Sequence, residues 1–200
     1  MRGVRSHRGA IALVSLVLFA SVAEAQEPPP EPPGPYVIDV RGAISGIPNA
    51  IAFFPTVTAT DAIPARGFGF DVGGHVYPAS LGHSRLGLGV NFMQVRGSVG
   101  PPDVSATVTA VAPQISFNFG TRSGWSTLSA GYGVARVKSR ATNGDADGGQ
   151  VGALNIGGGA RWFLSPHAAV GFDVRFYRLA AGDTVPSTKI VAASAGLSMR

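Results

Sequence analysis

The sequence predicts an all-β protein: an eight-stranded antiparallel up-and-down transmembrane β-barrel preceded by a cleaved signal peptide. Three observations lead to this prediction. Short segments alternate apolar residues with polar residues or glycine, several of these segments carry charges on one face at mid-strand, and most of the connections alternate in length. A period of two is typical of strands, and an apolar face opposite a polar face is typical of a barrel with lipid outside and a polar interior.

The segment from Ala160 to Leu179 shows the pattern most clearly, with two alternating runs around a short turn at Ser165-Pro166-His167. One face of the second run is apolar and consists of Val170, Phe172, Val174 and Phe176. The opposite face consists of Gly171, Asp173, Arg175 and Tyr177. We expect the first face to meet hydrocarbon and the second to point into the barrel.

Composition limits the possible classes of protein. A chain of 200 residues normally forms one domain, and the absence of cysteine excludes disulfides and thiolate metal sites. Glycine is abundant at 28 residues, and no apolar run after residue 25 reaches the length of about 20 residues that a membrane-spanning helix needs. A helical membrane protein is therefore excluded.

The N-terminal residues read as a secretory signal. A basic region with Arg2, Arg5 and Arg8 precedes the apolar run Ile11 to Ala20, and Ala23-Glu24-Ala25 supplies a small-x-small cleavage site. We therefore divide the chain into a signal peptide at residues 1–25, a proline-rich linker at 26–35 and a barrel domain at 36–200. Cleavage lowers the net charge from +5 to +3, because three arginines and one glutamate are removed. The remaining charge gives no indication of nucleic-acid binding.

The predicted strands cover residues 36–45, 66–77, 85–99, 105–119, 125–138, 150–163, 168–179 and 188–200. Two irregularities are expected. The alternation weakens after Met93, and Pro113 cannot donate a ladder hydrogen bond, so we predict a bulge at each place. Residues 139–149 are predicted to form an exposed polar loop.

The connections support the same topology. Those after the second, fourth and sixth strands are short, whereas those after the first, fifth and seventh are longer. Short periplasmic turns and longer outer loops are the rule in outer-membrane barrels. Eight strands then place both ends of the barrel domain on the periplasmic side. A soluble sandwich or a lipocalin-like ligand-binding barrel also alternates, but it turns its apolar face inward.

Four segments carry a resemblance to a known family: GFDVGGHVYP, LGLGVNF, SAGYGVARV and WFLSPHAAVGFDVRFY. With them, residues 36–200 resemble the small outer-membrane β-barrel superfamily, which includes the OmpA transmembrane domain and OmpX-like proteins. The resemblance implies a cell outer membrane location, a monomer, insertion by the barrel assembly machinery, contact with outer-membrane lipids, and no cofactor. It implies a non-enzymatic role in envelope integrity or surface interaction, with a small-solute porin as the alternative.

Two clusters are candidate ligand-binding sites. The first has inward phase and comprises Asp39, Arg41, Asp71, His75, Asn91, Arg161, Asp173, Arg175 and Tyr177. An eight-stranded barrel is only wide enough for side chains to fill it, so these charges are expected to pair as a plug, with a narrow pore as the alternative. The second is an outward basic ring near the outer strand ends, and its members are Arg66, Arg96, Arg136, Lys138, Arg178 and Lys189. Such cations suit lipopolysaccharide phosphates, or they simply reach the interface without specific binding.

Other features predict less. Some small barrels act on lipids with a His and a Ser near the outer leaflet, but His75, His83 and His167 all fall at the periplasmic end, and no catalytic triad or metal-ligand spacing is present. Tyr36, Phe119, Trp125 and Trp162 are predicted to form a periplasmic aromatic girdle. Phe53 and Phe54, in the first outer loop, either bind a partner or pack over the barrel mouth.

Overall fold

The computed structural model describes residues 35–58, 62–101, 103–121, 123–183 and 185–200. The predicted signal peptide and all but the last residue of the predicted linker lie outside the described residues. Within the described ranges, no helix is long and apolar enough to cross a membrane.

In the described residues, eight antiparallel strands form a closed barrel in which each strand pairs with its neighbours in the chain and the last pairs with the first. They are β1 (Tyr36–Gly46), β2 (Arg66–Leu81), β3 (Ser84–Val99), β4 (Val104–Thr121), β5 (Gly124–Ala141), β6 (Gly144–Phe163), β7 (Ala168–Leu179) and β8 (Thr188–Met199). A short 3-10 helix, Ile51–Phe53, lies in the connection between β1 and β2. The predicted number of strands and their order are confirmed.

Alternating burial shows which face of each strand points inward. On β7, Phe172 is 43% exposed on the outer surface, whereas Asp173 and Arg175 are each 4% exposed inside the barrel. On β1, Ile38 and Val40 face outward and Asp39 and Arg41 face inward. The apolar faces therefore cover the outside of this part of the wall. The alternative of a soluble lipocalin-like barrel, which needs the opposite arrangement, is wrong for these strands.

Neither predicted bulge is present. The register between β3 and β4 is continuous through Met93 and Pro113. Between β4 and β5 it is the same on both sides of Pro113, although the pairs at Ala112 and Pro113 are missing. The register shifts instead between Val76 and Ala79 on β2, around Pro78, and between Arg136 and Lys138 on β5, opposite Gly148 and Gly149. Pro113 fits because its ladder interruption is local and its ring points outward.

The predicted polar loop at 139–149 is also wrong, because most of it continues the ladder. β5 and β6 pair from Lys138 opposite Asp147 to Ala141 opposite Gly144, and only Thr142 and Asn143 form the turn. The outward positions of β5 carry basic residues here and those of β6 carry aspartates, so cross-strand ion pairs support strand structure in a segment whose composition alone suggests a loop. The long β5–β6 and β3–β4 hairpins thus extend beyond β1, β7 and β8.

Candidate functional site

The lower part of the barrel interior, toward the turns that follow β2, β4 and β6, holds a buried set of ionisable and polar side chains that we call the charged layer. Its members are Asp39, Arg41, Asp71, His75, Asn91, Arg161, Asp173 and Arg175. All point inward as the alternation predicted, and each is at most 5% exposed. Three arginines face three aspartates, so the formal charges of these groups cancel.

Asp39 forms ion pairs with two arginines of the charged layer, Arg161 and Arg41. Nε and Nη2 of Arg161 donate to its two carboxylate oxygens over 2.9 and 2.6 Å. Nη2 of Arg41 lies 2.7 Å from Oδ1 of Asp39, and the hydroxyl of Ser198 donates to the same oxygen over 2.5 Å. A two-point guanidinium–carboxylate contact is directional as well as strong, so it fixes β1 against β6 across the interior.

Asp71 continues the network on β2. It accepts hydrogen bonds from Nη1 of Arg41 over 3.2 Å and from the amide of Asn91 over 2.7 Å. Tyr177, which was also predicted in the interior cluster, donates through its hydroxyl to the side-chain oxygen of Asn91 over 3.2 Å. The network therefore links β1, β2, β3 and β7.

A further ion pair lies on β7, where Nε of Arg175 is 2.7 Å from Oδ1 of Asp173. The same guanidinium donates through Nη1 to the side-chain oxygen of Asn155 over 3.2 Å, and the amide of Gln114 donates to that oxygen over 3.0 Å. Glycine makes room for the arginine, since a Cβ at Gly157 would lie 2.6 Å from Cγ of Arg175. The predicted pairing of the interior charges is confirmed by these contacts.

His75 differs from the other members of the charged layer. It is 5% exposed, and neither ring nitrogen has a hydrogen-bond partner among the described residues. Its ring fills the space beside Gly89, where a Cβ would come 2.7 Å from Cγ of the imidazole. His83 and His167 lie exposed in the turns that follow β2 and β6. Within the described residues, no group of three His, Asp or Glu side chains is arranged to hold a metal ion.

The upper part of the interior, toward the outer strand ends, is apolar. This apolar layer includes Met93 and Val95 on β3, Val104 and Val108 on β4, and Leu179 on β7, all at most 1% exposed. Sequence reasoning did not identify it, although the signal was present in the continued phase of the strands. From Val104 to Ala110 the apolar residues have inward phase and Ser105, Thr107 and Thr109 have outward phase, the reverse of the lower barrel.

The connections close the apolar layer from above. Phe53 and Phe54 are 4% and 0% exposed in the same cluster, so of the two predictions for this pair, packing over the mouth is confirmed and an exposed partner site is wrong. The loop is held by a backbone hydrogen bond from Ile47 to Ala65 of 3.0 Å and by the hydroxyl of Thr56, which donates to the carbonyl of Gly144 over 3.1 Å.

An aromatic cluster closes the lower end of the barrel. Trp125 is 3% exposed inside the barrel, with its ring centroid 6.1 Å from that of Tyr77 and 4.7 Å from that of Phe163. The guanidinium of Arg200 lies 4.2 Å from the ring centroid of Phe163. The prediction that Trp125 belongs to the aromatic girdle on the barrel surface is wrong, because its side chain has the phase of the inward Thr127. Tyr36, Phe119 and Trp162 are exposed on the outer surface as expected.

The six cations of the predicted basic ring all lie on the outer surface and are exposed: Arg66, Arg96, Arg136, Lys138, Arg178 and Lys189. They are not equivalent. Arg136 forms a two-point ion pair with Asp147, and Lys138 lies 3.9 Å from the same carboxylate. The guanidinium of Arg136 holds the pKa of Asp147 below its ordinary value of 3.8. Arg140, outside the predicted set, pairs similarly with Asp145 over 2.8 Å.

Comparisons of the whole fold identify the class of protein. No protein-family model matches the chain, and no curated protein sequence matches it significantly. Solved structures do match, and they include small outer-membrane barrels. The chain therefore has the fold of the small eight-stranded outer-membrane β-barrels, which confirms the predicted resemblance at the level of fold.

Two of these structures match this chain over nearly their whole length. The chain is similar to Neisserial surface protein A (NspA), with 14% identity and a TM-score of 0.57 over 82% of this chain and 96% of NspA. It is also similar to Ail, the attachment invasion locus protein of Yersinia pestis, with 14% identity and a TM-score of 0.54 over the same shares. A second structure of Ail, in complex with the heparin analogue sucrose octasulfate, matches equally well.

Proposed function

We propose that this chain is a non-catalytic barrel of the bacterial outer membrane that serves envelope integrity or surface interaction. The observation that carries the proposal is the reversal of the alternation along the barrel axis. The lower wall is apolar outside and polar inside, which suits lipid. The ends of β3–β6 are apolar inside and polar outside, which suits water. We call these water-compatible strand ends the crown.

The filled interior favours a scaffold over a pore. The charged layer, the apolar layer and the aromatic cluster lie one above another along the axis, and their members are buried. A conducting barrel of this size would need a water-filled path past the three arginines and three aspartates of the charged layer and past the side chains of Phe53 and Phe54. We therefore propose the plug, and we propose the small-solute porin only as the outcome that a conductance measurement would have to support.

The remaining proposals concern biogenesis. We infer that residues 1–25 are removed as a signal peptide, that 26–35 is a linker, and that the barrel assembly machinery inserts residues 36–200 as a monomer without a cofactor. The outward apolar surface supports insertion, since Phe68, Leu128 and Phe176 are 70%, 59% and 62% exposed. Such side chains on the outside of a wall would promote aggregation in water.

Membrane orientation is tested by placing a specific protease site at each end of the barrel. One insertion lies between Thr142 and Asn143, in the turn of the crown, and the matched control lies between Gly82 and His83, in a turn at the opposite end. In intact cells, the protease should cleave only the first variant, and in lysed cells it should cleave both. Cleavage of only the second variant would contradict the orientation, and protection of both would contradict surface exposure of the crown.

Two further measurements separate the alternatives. A membrane barrel should fractionate with the outer membrane and migrate differently on a gel before and after boiling, whereas a soluble barrel needs no detergent. In planar bilayers, the purified protein should give no steps of single-channel current. Reproducible steps would replace the plug with the porin.

A further inference from the structure

The outward cations divide into two groups with different surroundings. Arg136 and Lys138 share Asp147, Arg140 pairs with Asp145, and Nη2 of Arg96 donates to the hydroxyl of Ser105 over 3.4 Å. On the other side of the barrel, the side chains of Arg66, Arg178 and Lys189 form no hydrogen bond or ion pair with any residue in the described part of the chain. We call these three residues the unpaired cations.

The placement of the unpaired cations is unfavourable without an anion. Arg178 and Lys189 lie directly opposite each other in the β7–β8 ladder, and both side chains are exposed. Like charges at directly opposed positions destabilise a sheet. Arg66, at the start of β2, and Lys189 line the same surface depression of about 380 Å³. Three positive charges therefore meet where β7, β8, β1 and β2 reach their outer ends.

An apolar groove runs down the outer wall from these charges. The depression between Arg66 and Lys189 shares Ile44 and Ala193 with a second depression of about 550 Å³ nearer mid-wall. Its floor consists of small residues, with Gly42 on β1 and Ala193 and Ala195 on β8, and Phe68 and Phe172 stand on either side. The groove is thus a shallow surface depression on the proposed lipid-facing side, bordered by two aromatic rings.

The length of the groove matches one membrane leaflet. From Lys189 to Ala195 the strand rises roughly 20 Å, at ~3.4 Å per residue. With a strand tilt of about 40°, this is about 15 Å along the membrane normal, or half of a hydrocarbon core of ~30 Å. An acyl chain whose headgroup sits at the unpaired cations would therefore occupy the groove within the outer leaflet.

We propose that this groove and the unpaired cations form one binding site for lipopolysaccharide, with an acyl chain in the groove and lipid A phosphates on Arg66, Arg178 and Lys189. The proposal rests on the membrane location proposed above and adds a specific site to it. Arginine and lysine bind phosphate through charge-assisted hydrogen bonds, and three adjacent cations favour a ligand with more than one phosphate. The cations of the crown, of which Arg136, Lys138 and Arg140 have a carboxylate partner, lie outside the site.

The charge part of the site is tested with two matched triple variants of the full chain. The test variant is R66S/R178S/K189S, and the control is R96S/R136S/K138S, which removes the same charge from the other side of the barrel. Protein purified from outer membranes is assayed for bound lipopolysaccharide by native mass spectrometry. We expect the test variant to bind it about tenfold more weakly or worse, since each surface cation contributes substantially to binding an anionic lipid. The control should bind like the parent protein.

The groove part is tested by filling it. A193L/A195L adds bulk to the floor without changing charge, and the control A130L enlarges an exposed alanine on β5, outside the groove. Bound lipopolysaccharide should fall for the first variant and stay unchanged for the second. Equal loss in both triple variants, or no loss in the test variants, would overturn the specific site and leave unspecific contact with the interface.

The lipid source is tested in nanodiscs that contain phosphatidylglycerol or cardiolipin with and without lipid A. Retention of lipid A above the phospholipids supports the proposal, and equal retention overturns the assignment to lipopolysaccharide. Heat-modifiable mobility is recorded for every variant. A parent protein that lacks this mobility and stays soluble without detergent contradicts the proposed membrane function itself. A normally folded barrel with unchanged lipid retention contradicts only the site.

Discussion

The lower barrel and the crown share strands β3–β6 but reverse the arrangement of polar and apolar side chains. In the lower part of β4, Gln114 and Ser116 are inside while Ile115 and Phe117 are outside. In the crown, Val104 and Val108 are inside while Ser105 and Thr107 face outward. In the proposed membrane location, lipid meets the outside of the lower barrel and water meets the outside of the crown. The comparison shows that one continuous strand can satisfy two solvents without a break in its register.

The two interiors also differ in how they are closed. The charged layer is made from strand residues and is held by directional ion pairs. The apolar layer depends on Phe53, Phe54 and Val185, which come from connections rather than strands. Closure of the barrel should therefore complete the charged layer at once, whereas the apolar layer also requires the outer connections to dock. Three substitutions or conditions test this difference, from the largest expected effect to the smallest.

Asp39→Ala should have the largest effect on unfolding. It leaves Arg161 and Arg41 inside the barrel without the carboxylate that they share, and breaking a buried ion pair by removing one partner costs about 3–5 kcal/mol. The measurement is the denaturant midpoint of the barrel refolded into lipid vesicles. The matched control Asp145→Ala removes one partner of an exposed pair, and its midpoint should stay close to that of the parent. Equal midpoints for both variants would contradict the structural role of the charged layer.

Phe54→Ala should have an intermediate effect that is confined to the outer end. Removal of a buried phenylalanine side chain costs up to about 3–5 kcal/mol, but here the loss is limited to the free energy with which the loop docks. Proteolysis of the connection between β1 and β2 in folded protein should accelerate, while the denaturant midpoint moves less than for Asp39→Ala. Ile51→Ala is the control, because Ile51 is in the same loop and is 59% exposed. A fully protected loop in the Phe54 variant would show that these aromatic rings do not hold it.

Acidification should have the smallest effect, restricted to the β5–β6 end of the crown. Arg136 lowers the pKa of Asp147 and Arg140 lowers the pKa of Asp145. A group whose folded pKa is depressed stabilises the fold above its ordinary pKa, and this contribution disappears as pH falls through the folded value. Amide exchange protection near Thr142 and Asn143 should therefore persist at neutral pH and decrease below the ordinary pKa of 3.8. In Asp147→Asn/Asp145→Asn, this hairpin should already be less protected at pH 7, and protection that is independent of pH in both proteins would exclude the ion pairs as its source.

Much of the lower barrel was predictable because alternation translates directly into direction. Asp39, Arg41, Asp71, Asp173 and Arg175 all point inward as predicted. Trp125 was misassigned on residue type, although its phase with Thr127 indicated the interior. The weak alternation after Met93 predicts a bulge, whereas Met93 and Val95 stay inside and only the polarity of the two faces exchanges. The phase of a residue therefore indicates its direction better than its residue type does.

Alternation along the chain predicts the strands, their order and the direction of most side chains, because a period of two is a local property of the backbone. Closure of the barrel specifies which charges pair, since Asp39 and Arg161 are far apart in the chain and meet across the interior. It also decided that Phe53 and Phe54 enter the barrel and that Arg66, Arg178 and Lys189 lie beside a groove without an acidic partner in the described residues. These features depend on strand register and on closure of the barrel, which bring distant segments together and which no local pattern specifies.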